Sequence, residues 1–149
     1  YRHTHWQAKR LGIPFRTPPG HPFNPLRVLR LALALEADHA AVEAIFNFIW
    51  ATGGNVDDDA ALTRLAARFG VNDLAATIGR EDVKARLRAN TEEAIARGVY
   101  GVPTFAIDDE LFWGFDATDM FLEYLADPGM LATPEMQRLK NLPQAARRV

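Results

Sequence analysis

The residues with the most chemical promise lie in one stretch, Arg97-Gly-Val-Tyr-Gly-Val-Pro-Thr-Phe-Ala-Ile-Asp-Asp-Glu-Leu-Phe-Trp-Gly-Phe-Asp116. Its chemistry is that of the backbone. Pro103 has no N–H, so as the first residue of a strand it ends the ladder rather than joining it. It also pushes Val102 into an extended conformation. Gly98 and Gly101, just before the pair, permit close backbone approach. An extended Val102–Pro103 dipeptide whose N–H and C=O lack internal partners is a place where a peptide-like ligand can add itself as a strand. A cis bond there would mark a deliberate feature. The plain alternative is an ordinary loop proline.

Elsewhere the side chains exclude more than they offer. The chain has no cysteine, so disulfides, thiolate metal sites and cysteine nucleophiles are ruled out within it. Histidines stand at 3, 5, 21 and 39. His3 and His5 are two apart and do not share a helical face, so no metal site is read. Asp57, Asp58 and Asp59 lack the spaced acids, glycine and closing glutamate of a calcium loop. Their charge suits a helix N-terminus instead. A net charge of −2 leaves no general electrostatic footprint for nucleic acid or an anionic membrane. No apolar run reaches the length of a membrane span. With 149 residues, 48% of them hydrophobic, the chain can bury a sizeable core.

The elements that must position these residues are mostly helices. Tyr1–Leu11 reads as helix interior, ended by Gly12 with Pro14 beyond. Residue 1 is Tyr with no capping residue before it, so upstream sequence is expected. Residues 12–23 form a long proline-rich loop containing His21. Asn24-Pro25 supplies a cap and a first-turn proline for a helix to about Glu36. Asp38 caps the next helix, which runs through Trp50 and stops at Gly53-Gly54. A helix over 58–69 closes at Gly70, Asn72 is expected to cap a short one ending at Gly79, and Glu81–Arg97 forms an amphipathic helix closed by Gly98. Thr104–Ile107 and Glu110–Trp113 are short strands around Asp108-Asp109. A helix comes after Asp116 over about 117–125, with Met120, Phe121, Tyr124 and Leu125 on its apolar side. A short helical piece is expected near 134–140. A hairpin is not stable alone. With no strand read in residues 1–97, further strands are expected from upstream sequence.

The helical block, then Gly-Val-Pro-Thr-Phe (101–105), a hairpin, and Leu-Phe-Trp-Gly-x-Asp (111–116), resembles the 2-hydroxychromene-2-carboxylate isomerases, relatives of kappa-class glutathione transferases and of the DsbA type of thioredoxin fold. Arg-Leu-Gly-Ile-Pro (10–14), Phe-Asn-Pro-Leu-Arg (23–27) and Thr-Pro-Glu-Met-Gln-Arg-Leu-Lys-Asn-Leu-Pro (133–143) match as well. The resemblance implies an α/β, thioredoxin-like fold with a large α-helical insertion. Residues 1–97 would be the insertion, with the end of the N-terminal thioredoxin-like half, and residues 98–149 the C-terminal half and tail. It implies glutathione as cofactor: Val102, before Pro103, would pair its backbone with the cysteinyl part. The segment Trp113, Gly114, Phe115, Asp116 would hold the γ-glutamyl end, its carboxylate on the N–H groups of the helix after it and its ammonium on Asp116. The alternative for Asp116 is a simple N-cap. Phe23 and Asn24 fall at substrate-pocket positions, and His21 in the same loop can assist a carboxylate or phenolate. Against these stand a capping role for Asn24 and a lone surface histidine at 21.

The activity implied by the resemblance is that of a glutathione-dependent isomerase of aromatic breakdown intermediates, acting by reversible thiolate addition. The implied substrate is a small aromatic carboxylate, the assembly a homodimer, and the location cytoplasmic. The family's polar residue before the aspartate and arginine after it are replaced by Phe115 and Ala117. Its thiol-activating serine belongs to the segment expected upstream. A glutathione transferase or thiol-disulfide protein of the same fold, and a binding protein with a degenerate site, remain as rivals.

Overall fold

The computed structural model describes residues 1–143. The chain forms two compact units, Tyr1–Glu92 and the part from Glu93 onward.

The first unit is built from helices α1 (Arg2–Leu11), α2 (Leu26–Ala34), α3 (His39–Phe46), α4 (Asp59–Ala67), α5 (Leu74–Gly79) and most of α6 (Glu81–Ala96). α2 packs on α3 and α5, and α4 packs on α5. Val28 and Leu31 of α2 meet Ile45, Ile49, Leu62, Leu65 and Leu74 in one core, where Leu31 and Leu62 are fully buried. Arg27 ties α2 to the start of α4 through an ion pair with Asp59 and a 3.3 Å bond from Nη1 to the Val56 carbonyl.

Local chemistry sets the boundaries. The Asp38 carboxylate accepts from the Ala41 N–H at 3.1 Å, and Asp58 accepts from Ala61 at 3.0 Å. Gly12, Gly70 and Gly98 end their helices in the left-handed conformation. Asp73 rather than Asn72 caps α5, because its extended backbone puts Oδ1 2.9 Å from the N–H of Ala76 in the first turn. α2 stops at Ala34, short of Glu36, since Glu36 and Ala37 both turn to positive φ. The helix expected to reach Trp50 as one piece changes at Asn47 to a π-helical turn (Asn47–Ala51), with Thr52 N–H reaching back to Asn47 O at 3.0 Å. Replacing Asp38 or Asp58 by alanine should cost about 1 kcal/mol each. The check is the urea midpoint at unchanged slope.

In the second unit, β1 (Thr104–Ile107) and β2 (Glu110–Trp113) form an antiparallel hairpin with Thr104 opposite Trp113 and Ile107 opposite Glu110. They are the strands of the sheet among the described residues. A 3-10 turn (Phe115–Ala117) leads into α7 (Thr118–Ala126). The hairpin is held by aromatic packing on α7. Phe105 stacks on Phe121 at 4.3 Å, and Phe112 meets Phe121 and Tyr124 at 5.6 and 5.3 Å. Such a helix surface is what a two-stranded ribbon needs. Phe121 and Tyr124 therefore form the inner side of α7, while Met120 and Leu125, expected beside them, are exposed. A second 3-10 turn (Pro128–Ala132) precedes α8 (Pro134–Lys140). Lys140 Nζ donates to Glu110 at 2.5 Å, and that bond holds the ammonium above its ordinary pKa. Among the described residues no helix is long and apolar enough to cross a membrane.

Candidate functional site

In the second unit the hairpin brings together two segments that are separate in sequence. The Gly114 N–H donates to the Pro103 carbonyl at 2.9 Å, which continues the β1–β2 ladder by one step and sets Val102–Pro103 beside Trp113–Asp116. The Val102–Pro103 peptide is cis. Val102 is 88% exposed, and its N–H and C=O have no partner among the described residues. Just before it, Gly101 O accepts from Thr104 Oγ1 at 2.7 Å.

Trp113 leans across this segment. A Cβ added at Gly101 would stand 2.5 Å from the indole Nε1, so only glycine lets the ring lie where it does. Tyr100 packs on the same indole, its ring centre 5.1 Å away. Tyr100, Val102, Trp113 and Phe115 are all at least half exposed. Such a run of large apolar side chains turned to solvent marks a binding surface.

Gly114 has φ 95 and ψ 161, a region nearly closed to other residues. The turn folds Asp116 back so that a Cβ on Gly114 would collide with Asp116 Oδ1. Asp116 lies inside the 3-10 turn and makes no capping bond to α7, whose N-cap position is Ala117. The N-cap alternative for Asp116 is therefore corrected: the 3-10 turn puts Ala117 at the cap position and folds the Asp116 carboxylate back toward Gly114, away from the first turn of α7. The Ala117 N–H bonds to Gly114 O at 3.3 Å, and Thr118 Oγ1 donates to Phe115 O at 2.6 Å. The N–H groups of Phe115 and Asp116 have no acceptor among the described residues. The cluster thus offers a backbone N–H and C=O pair at Val102, two free N–H groups, and a carboxylate unengaged by other side chains. Those groups suit a small peptide with an α-amino-acid end. Gly114→Ala should lose about 1–3 kcal/mol of stability through the positive φ alone. A thermal melt checks this; an unchanged melting temperature would contradict the tight turn.

The first unit holds a separate aromatic pocket of about 290 Å³ lined by Tyr1, Thr4, Phe15, Thr17, His21 and Trp50. Phe15 stacks on Trp50 with rings 6° from parallel, and His21 meets the edge of the same indole at 5.5 Å. Phe23 packs on both His21 and Trp50. Tyr1 Oη lies 3.1 Å from His21 Nδ1 and also donates to the His21 carbonyl at 3.1 Å. The loop is drawn in by a 2.6 Å bond from Arg16 N–H to Trp50 O. It passes so near Gly53 that a Cβ there would stand 2.9 Å from Arg16 Cγ. Of the residues expected at a substrate pocket, His21 and Phe23 are in this cluster. Asn24 is turned to structure, its Oδ1 accepting from Leu26 N–H at 3.0 Å, although Pro25 rather than Asn24 occupies the N-cap position of α2, which begins at Leu26.

Sequence reasoning missed Tyr1, Phe15 and Trp50 here and Tyr100 in the second unit. A π-helical turn beneath Trp50 and the His21–Pro22 cis bond have no local sequence signal strong enough to place these rings. No group of acids or histidines among the described residues is arranged for a metal ion.

A family model described as the DsbA-like thioredoxin domain matches residues 3–126. A 2-hydroxychromene-2-carboxylate isomerase of Sphingobium xenophagum is 32% identical over 125 residues, covering 82% of this chain and 64% of that protein. One from Pseudomonas putida is 29% identical over 112 residues, covering 73% of this chain and 55% of that protein. The chain thus spans from 55% to 64% of the length of these two relatives. A solved structure of a selenomethionine 2-hydroxychromene-2-carboxylate isomerase superposes with a TM-score of 0.67 at 24% identity, covering 94% of this chain and 67% of that one. That likeness shows the fold: thioredoxin-like of the DsbA type, mostly helical with a small strand pair.

Proposed function

The chain belongs to the DsbA-like thioredoxin-domain family, and from that premise we propose that it is a glutathione-dependent isomerase of 2-hydroxychromene-2-carboxylate-type intermediates in aromatic catabolism. The names of its relatives support the isomerase part. The single observation that carries the glutathione part is the exposed, unpartnered Val102 backbone standing one hydrogen bond away from the Gly114–Asp116 turn.

The residues present fit the tripeptide. Val102 N–H and C=O would pair with its cysteinyl backbone as an added strand. The free N–H groups of Phe115 and Asp116 would receive the γ-glutamyl carboxylate, and the Asp116 carboxylate its ammonium. Gly101 and Gly114 keep the approach open, since side chains there would displace Trp113 or Asp116. When bound, glutathione supplies a thiolate nucleophile for reversible addition to a conjugated double bond. The aromatic pocket of the first unit would hold the flat ring of a small aromatic carboxylate against Phe15 and Trp50, with Phe23 packed behind Trp50. His21, held by Tyr1, would be its polar contact. We assign the protein to the cytoplasm and to a homodimer on the same reading.

The test is an isomerase assay with and without glutathione. The reading requires a rate that depends on glutathione and saturates with it. Equal rates in both arms would remove glutathione from the reaction. A second reading, a binding protein whose site has lost its chemistry, draws on Phe115 and Ala117 at positions where polar residues would strengthen the γ-glutamyl contacts. On that reading neither arm shows turnover.

A further inference from the structure

α2 and α6 enclose a groove of about 500 Å³ in the first unit, lined by Leu26, Arg30, Lys84, Leu87, Arg88 and Thr91, with Glu92 at its margin. Its residues play no part in the sites described above. Leu26 and Leu87 give it an apolar floor, and Leu26 is 42% exposed there although it opens a core helix. The charges around it do not cancel. Lys84 Nζ is taken by Glu81 at 2.8 Å. Glu92 stands one turn from Arg88 on the same helix face, where opposite charges offset each other. Glu36, the acid nearest the end of α2, is taken by Arg86 at 2.6 Å. Arg30 is left without a counter-ion among the described residues, and its Nε is shielded from water with no acceptor. The field of this cluster is felt at Glu81, whose carboxyl is held below its ordinary pKa chiefly by Lys84, with Arg30 and Arg88 adding to the effect.

A half-buried guanidinium without a partner, beside an exposed Leu26 and a partly exposed Leu87, is complementary to a monoanion with an apolar body. We propose that this groove binds a small organic carboxylate, its head against Arg30 and Arg88 and its hydrocarbon along Leu26 and Leu87. Arginine is suited to this because its planar fork matches a carboxylate bidentately. The stem of each arginine adds apolar wall. Inorganic anions lack the body and neutral alcohols lack the head, so neither should compete well.

The probe is octanoate, titrated into the isotope-labelled chain and followed by amide NMR, with 1-octanol and inorganic phosphate as controls. Saturable shifts confined to α2 and α6 around Arg30, Leu87, Arg88 and Thr91 are expected for octanoate. Both controls should bind at least about tenfold more weakly, the scale of one lost charge-assisted contact. Arg30→Gln should weaken octanoate by a similar factor, and Arg88→Gln, at an exposed position, by several-fold without disturbing the fold. Absence of saturable shifts, shifts centred on the aromatic pocket or the hairpin, equal binding of 1-octanol, or unchanged affinity in Arg88→Gln would each overturn the proposal. None of these outcomes bears on glutathione binding at Val102.

Discussion

On the proposed glutathione reading, Asp116→Ala should weaken glutathione binding roughly ten- to a hundredfold while leaving the melting temperature unchanged. The size comes from removing the anionic partner of an ammonium, a charge-assisted contact. The unchanged stability comes from the structure, in which Asp116 is exposed, caps nothing and makes no side-chain bond among the described residues. That separation makes the substitution informative, because lost affinity cannot be ascribed to a damaged turn. Asp116→Asn should recover part of the loss, since an amide oxygen still accepts a hydrogen bond but carries no charge. Calorimetric titration gives the affinities and a thermal melt the control. Equal affinity for the parent chain and Asp116→Ala would take Asp116 out of the site.

Leu62→Ala costs about 2–5 kcal/mol of stability. Leu62 is fully buried in the first unit's core, beside an equally buried Leu31. Removing its terminal carbons both forfeits transfer energy and leaves a void that its neighbours fill only in part. Against a typical total of about 5–15 kcal/mol, this is enough to leave a marginal chain partly unfolded. Ile95→Ala is the contrasting case: Ile95 is 67% exposed near the end of α6, so its loss should fall within about 0.5 kcal/mol. Denaturant unfolding of both variants distinguishes the two environments. Equal effects would contradict the burial pattern.

Much of the fold is legible in the sequence because its boundaries are written in local chemistry. Asp38 and Asp58 cap the helices they precede, Gly70 and Gly98 close theirs, both strands are short β-type runs on either side of the Asp108-Asp109 turn, and α8 starts at a Thr133 cap with Pro134 in its first turn. Even the miss at Asn72 is local, since either of two adjacent polar residues can cap and only the backbone angle at Asp73 decides. The π-helical turn is not legible. Nothing in the residue types of Asn47–Ala51 marks a π-helical turn, and the close approach of Arg16 to Gly53 and of Phe48 to Gly54 just after it is a tertiary feature. The candidate sites divide in the same way. Pro103, Gly114 and Asp116 stand out through restricted backbone or charge. Tyr100, Phe15 and Trp50 are generic aromatics whose role comes from tertiary approach: Trp50 meets Phe15 and His21 across long sequence separations. Periodicity alone points Met120 and Leu125 inward, but the hairpin covers only the Phe121–Tyr124 side of α7.

That the Val102–Pro103 segment and the Gly114–Asp116 turn together hold glutathione is tested most directly by amide NMR during a glutathione titration. The expected result is saturable shifts concentrated at Gly101, Val102 and Thr104 and at Trp113 through Thr118, with the Val102, Phe115 and Asp116 amides moving downfield as they gain an acceptor. No shifts at millimolar glutathione, or shifts centred elsewhere, would contradict it.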